Sequence, residues 1–218
     1  MTAYPNSAAR QAAAIRAHAR RGVWRRVAAW AGVNPQARRA DAQAALWAHG
    51  AKGEAATVRL LRPLEGMGWA VRHDLALPRS GANLDHVLVA PHGRLVVVLD
   101  TKTWHRGRTT RLVRGRVRCG DEDRHKQVAD VGGYAQRVQQ ALDVPGVTVL
   151  PLLVVHGSPV AGGHLDVRVE GFGEPVYVLG ADWLMPTLTA SGRKAPADSQ
   201  RAAALVRRVD EILPRYSK

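Results

Sequence analysis

Apolar residues cluster most densely between positions 83 and 104, in two β-branched runs on either side of Pro91-His92-Gly93. β-Branched side chains crowd a helix and pack well on a pleated surface, so the two runs predict an antiparallel hairpin. The second run, 95–99, is apolar at every position, which predicts a strand covered on both faces. With His92-Gly93 as a two-residue turn, Pro91 pairs with Arg94, Val89 with Val96, Val87 with Val98 and Asp85 with Asp100. Side chains alternate across a strand, so Val96, Val98, Asp100 and Lys102 share one face. Two carboxylates then end side by side at the end of a buried sheet, with a lysine one step on. Like charges so placed repel and are costly to desolvate unless a cation joins them, which makes Asp85 and Asp100 a candidate metal site.

Elsewhere the pattern alternates between helix and strand periods. Residues 8–48 read as helical, broken at Gly32-Val33-Asn34-Pro35. A separate helix is expected at about 53–64, closed by Gly66 and Gly68, with Glu54, Val58 and Leu61 on one face. Glu54 thus falls where an apolar residue belongs, although a first-turn carboxylate is also what a helix dipole favours. A strand is expected at 69–75 and, after the central hairpin, a second hairpin turned by Arg114-Gly115. A helix at 123–142 carries Gln127, Val131, Tyr134 and Val138 on one stripe, again with a polar residue at its head. Strands at 147–155 and 175–179, a helix at 182–189, a linker at 191–196 and a final helix at 198–213 complete the chain. In that last helix Val206, Val209 and Leu213 are expected to pack while Arg201, Arg207 and Arg208 stay exposed. Helix, strand, hairpins, helix and strand in this order predict an α/β fold with a mixed central β-sheet.

Charge changes the picture. The 218 residues include 32 Lys and Arg against 18 acidic residues, a net charge of +14. Such an excess points to a polyanionic partner, nucleic acid ahead of an acidic membrane surface. Eight arginines and no acid lie in residues 1–40. That stretch is either a solvated helical arm packed through Trp24, Trp30 and Trp47 or a nucleic-acid-binding arm that uses Arg25 and Arg26. Its composition also mimics an organelle transit peptide. Residues 105–118 add Arg106, Arg108, Arg111, Arg114, Arg116 and Arg118 with no acid among them. The single cysteine, Cys119, excludes an intrachain disulfide and fits a reducing cytoplasm. No apolar run reaches the roughly 20 residues of a membrane-spanning helix. A soluble, cytoplasmic protein is expected.

The polar residues that periodicity sets among apolar ones are therefore Glu54, Asp85, Asp100, Lys102 and Gln127. Hard divalent ions take oxygen ligands, one or two carboxylates completed by waters and phosphate oxygens. A lysine beside them can orient a nucleophilic water or meet developing negative charge. Gly53-Glu54, Asn83-Leu84-Asp85-His86-Val87-Leu88-Val89, Pro91-x-Gly93, Asp100-Thr101-Lys102 and Gln127-Val128 together resemble the nuclease-related domain (NERD) family of the PD-(D/E)xK nuclease-like superfamily. The resemblance covers residues 49–157, leaving a basic arm at 1–48 and a C-terminal strand and helical extension at 158–218. It implies an αβββαβ restriction-endonuclease-like core and a Mg²⁺ (or Mn²⁺) site. It also implies Asp85 and Asp100 as metal ligands, Glu54 as a supporting carboxylate, Lys102 as catalytic lysine and Gln127 as a site-lining residue. Asp100 stands where the family usually has glutamate, which shortens the ligand without removing it.

Other chemistries fit less well. The histidines His73, His86, His92, His105 and His125 lack zinc spacing, and no phosphate-loop signature occurs. On the turn-centred register His86 faces away from Asp85, as a structural or supporting residue. Trp104 is expected to pack the sheet edge rather than to stack bases. The expected function is metal-dependent phosphodiester hydrolysis on nucleic acid, DNA ahead of RNA, with a homodimer left open and no membrane insertion. The alternative is a catalytically silent nucleic-acid-binding or regulatory module on the same fold.

Overall fold

The structure is a computed structural model that describes residues 35–216, with side chains at position 41 and from position 50 onward. Arg25, Arg26 and the rest of the basic arm lie outside the described residues. The chain divides into two compact units, the first ending at Ala55 and the second comprising Ala56–Ser217. In place of two helices separated near position 50, one helix, α1, runs Pro35–Glu65. Gly50 and Gly53 lower helix propensity without ending it, because a glycine costs only about 1 kcal/mol in a helix interior. Over its last turns Thr57, Leu61 and Leu64 are the buried positions, with Val58 at their flank.

In the second unit a six-stranded sheet has the order β1-β2-β3-β7-β9-β8. Its strands are β1 (Ala70–Ala76), β2 (Asn83–Val89), β3 (Leu95–Thr103), β7 (Thr148–His156), β8 (His164–Val167) and β9 (Val176–Gly180). β3, β7 and β9 are parallel neighbours and the other pairs are antiparallel, so the sheet is mixed as expected. The helices are α2 (His125–Leu142), α3 (Ala181–Gly192) and α4 (Ser199–Ile212). Between β3 and α2 stands a separate three-stranded sheet, β4 (Thr110–Val113), β5 (Arg116–Cys119) and β6 (Glu122–Asp123). The order α1-β1-β2-β3-α2-β7 is the αβββαβ core, with the small sheet as an insert and β9 and β8 extending the main sheet beyond β7.

The central hairpin has the predicted register: Val89 pairs with Val96 and Val87 with Val98. Its loop is longer than predicted. Ala90 N–H donates to Leu95 O (3.0 Å) and Gly93 N–H to Ala90 O (2.9 Å), so residues 91–94 form the turn and Pro91 and Arg94 are not a strand pair. Proline has no N–H to give a ladder, which is why pairing stops before it. One face of β2 and β3, with Val87, Val89, Val96 and Val98, packs on Ala135, Val138 and Leu142 of α2 and on Leu205 and Val209 of α4. The opposite face, with Leu88, Val97 and Leu99, packs on Leu61, Leu64, Leu184 and Leu188. Burial on both faces is what the uniformly apolar run 95–99 requires.

Three further expectations are corrected. β8 is a strand absent from the expected elements: His164-Leu165-Asp166-Val167 alternates polar and apolar over only four residues, and antiparallel pairing with β9 makes it a strand. Asp123 belongs to β6, and its carboxylate accepts from His125 N–H at the start of α2 (2.9 Å), so the helix begins two residues later than predicted. In α4, Arg201 donates to Gly93 O (3.0 Å), and Arg208 donates to Leu142 O (3.2 Å) and Ala141 O (3.1 Å). These arginines satisfy carbonyls at a turn and at the end of α2 rather than standing free in solvent.

Candidate active site

β2 and β3 deliver the two aspartates. Ladder pairing is observed as far as His86 opposite Leu99, and one more step of that register sets Asp85 opposite Asp100. By alternation Asp100 and Lys102 share the face of Val98, toward α2, and Asp85 acts on Lys102 from the neighbouring strand. Asp85 is half-buried, and its Oδ2 accepts a hydrogen bond from Thr101 N–H (2.8 Å). Asp100 is buried, at 8% exposure. Its Oδ2 lies 2.6 Å from Lys102 Nζ, yet receives no well-directed hydrogen bond.

Charge in this corner is unevenly balanced. Burial pushes the Asp100 carboxyl up, Lys102 pulls it back, and Asp130 of α2 pushes in the same direction as burial. For Lys102 burial is the largest single influence and disfavours the ammonium. Asp100, then Asp85, outweigh it, and the pKa ends above the ordinary lysine value. Lys102 is therefore a fixed cation held by two acids. Asp130 and Tyr134, which face this corner from α2, were not singled out in the sequence as site residues. Tyr134 read as part of an apolar stripe, and Asp130 sits four residues after Lys126, to which it is paired (2.8 Å). Burial, then Asp130 and Asp100, raise the Tyr134 hydroxyl, so it stays protonated.

The residues present fit a hard divalent cation. A buried carboxylate oxygen short of directed donors, with a second carboxylate across the ladder, matches the one or two carboxylates such an ion takes beside waters and phosphate oxygens. Among the described residues no group of three His, Cys, Asp or Glu side chains forms a metal cluster, so waters and phosphate would complete the shell. Glu54 is half-buried on α1 and belongs to the first unit.

Gln127 sits in the first turn of α2 and accepts a hydrogen bond from the Trp104 indole N–H (2.9 Å). Trp104 is 4% exposed, with the Arg124 guanidinium 5.8 Å from its ring, so it packs under the insert and offers no face to a base. The Arg114-Gly115 turn is present: both residues have positive φ, 50° and 76°, as a tight two-residue hairpin turn requires. β4 and β5 pair Arg111 with Arg118 and Val113 with Arg116 on one face, while Thr110, Val117 and Cys119 are buried on the other. Arg108 is ion-paired with Glu122, and Arg116 with Asp123 (2.8 Å). Arg106, Arg111 and Arg114 are exposed without an ion pair among the described residues.

Behind the aspartates, on the opposite face of the sheet, runs a buried polar chain that sequence reasoning missed. The Thr101 hydroxyl donates to Thr57 Oγ1 (3.0 Å), which leaves the Thr57 hydroxyl to donate to His156 Nε2 (2.8 Å). Thr101 Oγ1 then accepts from His86 Nε2 (3.4 Å), whose Nδ1 accepts from His73 Nδ1 (2.8 Å). Every donor meets an acceptor only if His86 and His156 are neutral. Burial, then the neighbouring His73 and His156, lower His86 to about 3. His86 thus faces away from Asp85 in a structural role, as its alternation predicted. The signal in the sequence was a threonine and a histidine at core positions of β3 and β2, which acquire meaning only when Thr57 and His156 arrive from other elements.

No helix among the described residues is long and apolar enough to cross a membrane. No curated protein and no solved structure matches the chain. The family model of the nuclease-related domain, NERD, matches residues 49–156. The paired strands with Asp85, Asp100 and Lys102, and the helix with Gln127, all fall inside that match, and this segment of the chain belongs to the nuclease-related domain family.

Proposed function

We propose that the chain is a divalent-metal-dependent nuclease of PD-(D/E)xK type that hydrolyses phosphodiester bonds, in DNA ahead of RNA. The observation that supports this best is the Lys102–Asp100 pair at the end of a buried sheet, with Asp85 acting on the same lysine from the neighbouring strand, within a nuclease-related domain. Asp85 and Asp100 would hold Mg²⁺ or Mn²⁺. Such an ion supplies Lewis acidity toward the scissile phosphate. Lys102, fixed as a cation, stabilises the negative charge that grows on the phosphate oxygens as water attacks phosphorus and the ester oxygen leaves. Gln127 steadies Trp104 at the border of the site. Arg106, Arg111 and Arg114 on the insert, with Arg108 and Arg116 where substrate displaces their acidic partners, contact the phosphate backbone without reading sequence. Arg25 and Arg26 of the basic arm would add to that grip.

The Lys102–Asp100 pair also supports a second reading, a silent nucleic-acid-binding module in which the lysine stands in for a cation. A cleavage panel separates the two, using linear, circular and single-stranded substrates with Mg²⁺ or Mn²⁺. Asp100→Asn and Lys102→Ala are expected to lower cleavage by at least about a hundredfold while binding in EDTA changes little. Cleavage by either variant at the wild-type rate, or no cleavage of any substrate by the wild type, would sink the nuclease reading.

A further inference from the structure

The loop from Leu77 to Ala82 joins β1 to β2 and is closed on itself. Leu77 N–H donates to Ala82 O (3.1 Å) and Ala82 N–H to Ser80 Oγ (3.1 Å). At its tip Arg79 follows Pro78 with φ of 54°, a left-handed conformation that glycine adopts freely and other residues adopt under strain. The chain therefore keeps a guanidinium where the backbone alone would favour glycine, a pattern associated with function.

Arg79 lines a cleft of about 670 Å³ together with Pro78, Arg137, Gln140, Ala141 and Ile212. No acidic side chain lines it, and neither arginine is ion-paired among the described residues. The cleft is also placed with respect to the carboxylates. Asp130, Tyr134, Arg137 and Ala141 follow one another at i, i+4, i+7 and i+11, a single flank of α2. The first two are the residues whose charge or hydroxyl is coupled to Asp100 and Lys102, and the next two line the cleft. One helical turn of that flank separates Tyr134 from Arg137.

We propose that this cleft holds a backbone phosphate of the nucleic-acid strand whose scissile phosphodiester lies at Asp85, Asp100 and Lys102. The identity of the ligand rests on the nuclease reading. Two guanidinium forks suit a phosphate better than any other common anion on a polymer, and the Gln140 amide adds donors. Pro78, Ala141 and Ile212 cover the sugar. The arginines position the strand and take no part in bond breaking.

The test is binding of a short fluorescein-labelled DNA duplex to the full chain in EDTA, so that turnover plays no part, followed by anisotropy across a salt series. The double variant Arg79→Gly/Arg137→Ala is expected to bind about tenfold more weakly. The slope of log affinity against log salt should fall by about 2, one for each arginine. Arg79→Gly removes the charge while relieving the turn, so its melting temperature stays level or rises and weaker binding is not misfolding. Arg168→Ala, an exposed charge just after β8 at the far edge of the sheet, serves as control. An unchanged slope in the double variant, or an equal drop in Arg168→Ala, would overturn the proposal. Inorganic phosphate is the second probe. Stabilisation of the wild type alone by sub-millimolar phosphate would make the free ion the ligand and overturn the strand assignment; equal phosphate-induced shifts in melting temperature for wild type and double variant support it. Failure of cleavage with the slope difference intact counts against the nuclease reading only, and cleavage with no slope difference counts against the cleft only.

Discussion

Thr101 stands between the two sides of the sheet and serves both. Its backbone N–H holds the Asp85 carboxylate, and its hydroxyl enters the buried chain of Thr57, His86, His73 and His156. A β-strand residue cannot turn its N–H without moving its side chain, so anchoring the hydroxyl fixes the direction from which Asp85 is held. Groups that orient a metal ligand typically matter ten- to a hundredfold in metal affinity. Thr101→Val keeps the shape and removes the anchor. Its Mn²⁺ affinity, measured by electron paramagnetic resonance without substrate, is expected to fall about tenfold, and Thr101→Ser should restore most of it. An unaltered Mn²⁺ affinity in the valine variant would reduce the chain to a packing feature.

Among elements, the turn between β2 and β3 is held from outside by α4. Gly93 has φ of 61°, and a Cβ there would come within 2.6 Å of Ala202 N and 2.7 Å of Arg201 C. Helix backbone cannot yield as a side-chain tip can. Arg201 further clamps the turn through Gly93 O, and Asp198 caps the same helix by accepting from Arg201 N–H (2.9 Å). Gly93→Ala therefore combines backbone strain with a steric clash, and the loss in unfolding free energy by urea denaturation is expected to reach at least about 2 kcal/mol. A loss below about 0.5 kcal/mol would show that α4 shifts freely away from the hairpin. The same hairpin ends at Asp85 and Asp100, so the helix docked at one end of the two strands steadies the carboxylates at the other.

Across the whole molecule, three partly or fully buried histidines, His73, His86 and His156, are held below their ordinary value of 6.5. Burial is the leading cause in each. The folded chain then binds fewer protons than the unfolded one in acid, so stability rises with pH across this window. The contribution is complete above about pH 6.5 and is lost as pH falls toward about 3, the value for His86. Each pH unit in between removes about 1.4 kcal/mol for one such group. The expected outcome is a urea midpoint that falls steadily from pH 7 to pH 4.5, with a shallower fall in His86→Gln. An identical pH dependence in that variant would remove His86 as the cause. The excess of positive charge acts in the same direction, since each further proton adds to self-repulsion in a chain already at +14.

Much of the site was legible in one dimension because it is local. A β-branched run interrupted by Pro91 and Gly93 sets a hairpin register by itself, and alternation then carries Asp100 and Lys102 to one face. The tight turn at Arg114-Gly115 and the stripe on α2 were readable for the same reason, since they depend on neighbours within a few residues. What the tertiary structure alone decided depends on contacts between residues far apart. It joined β9 and β8 to the sheet, drew Asp130 and Tyr134 toward Asp100 and Lys102, and linked Thr57, Thr101 and His156 across three elements. It also brought Arg79 and Arg137, 58 positions apart in the chain, to line one cleft. Local stereochemistry fixes which face a side chain takes on its own strand or helix. Only packing decides what stands opposite it.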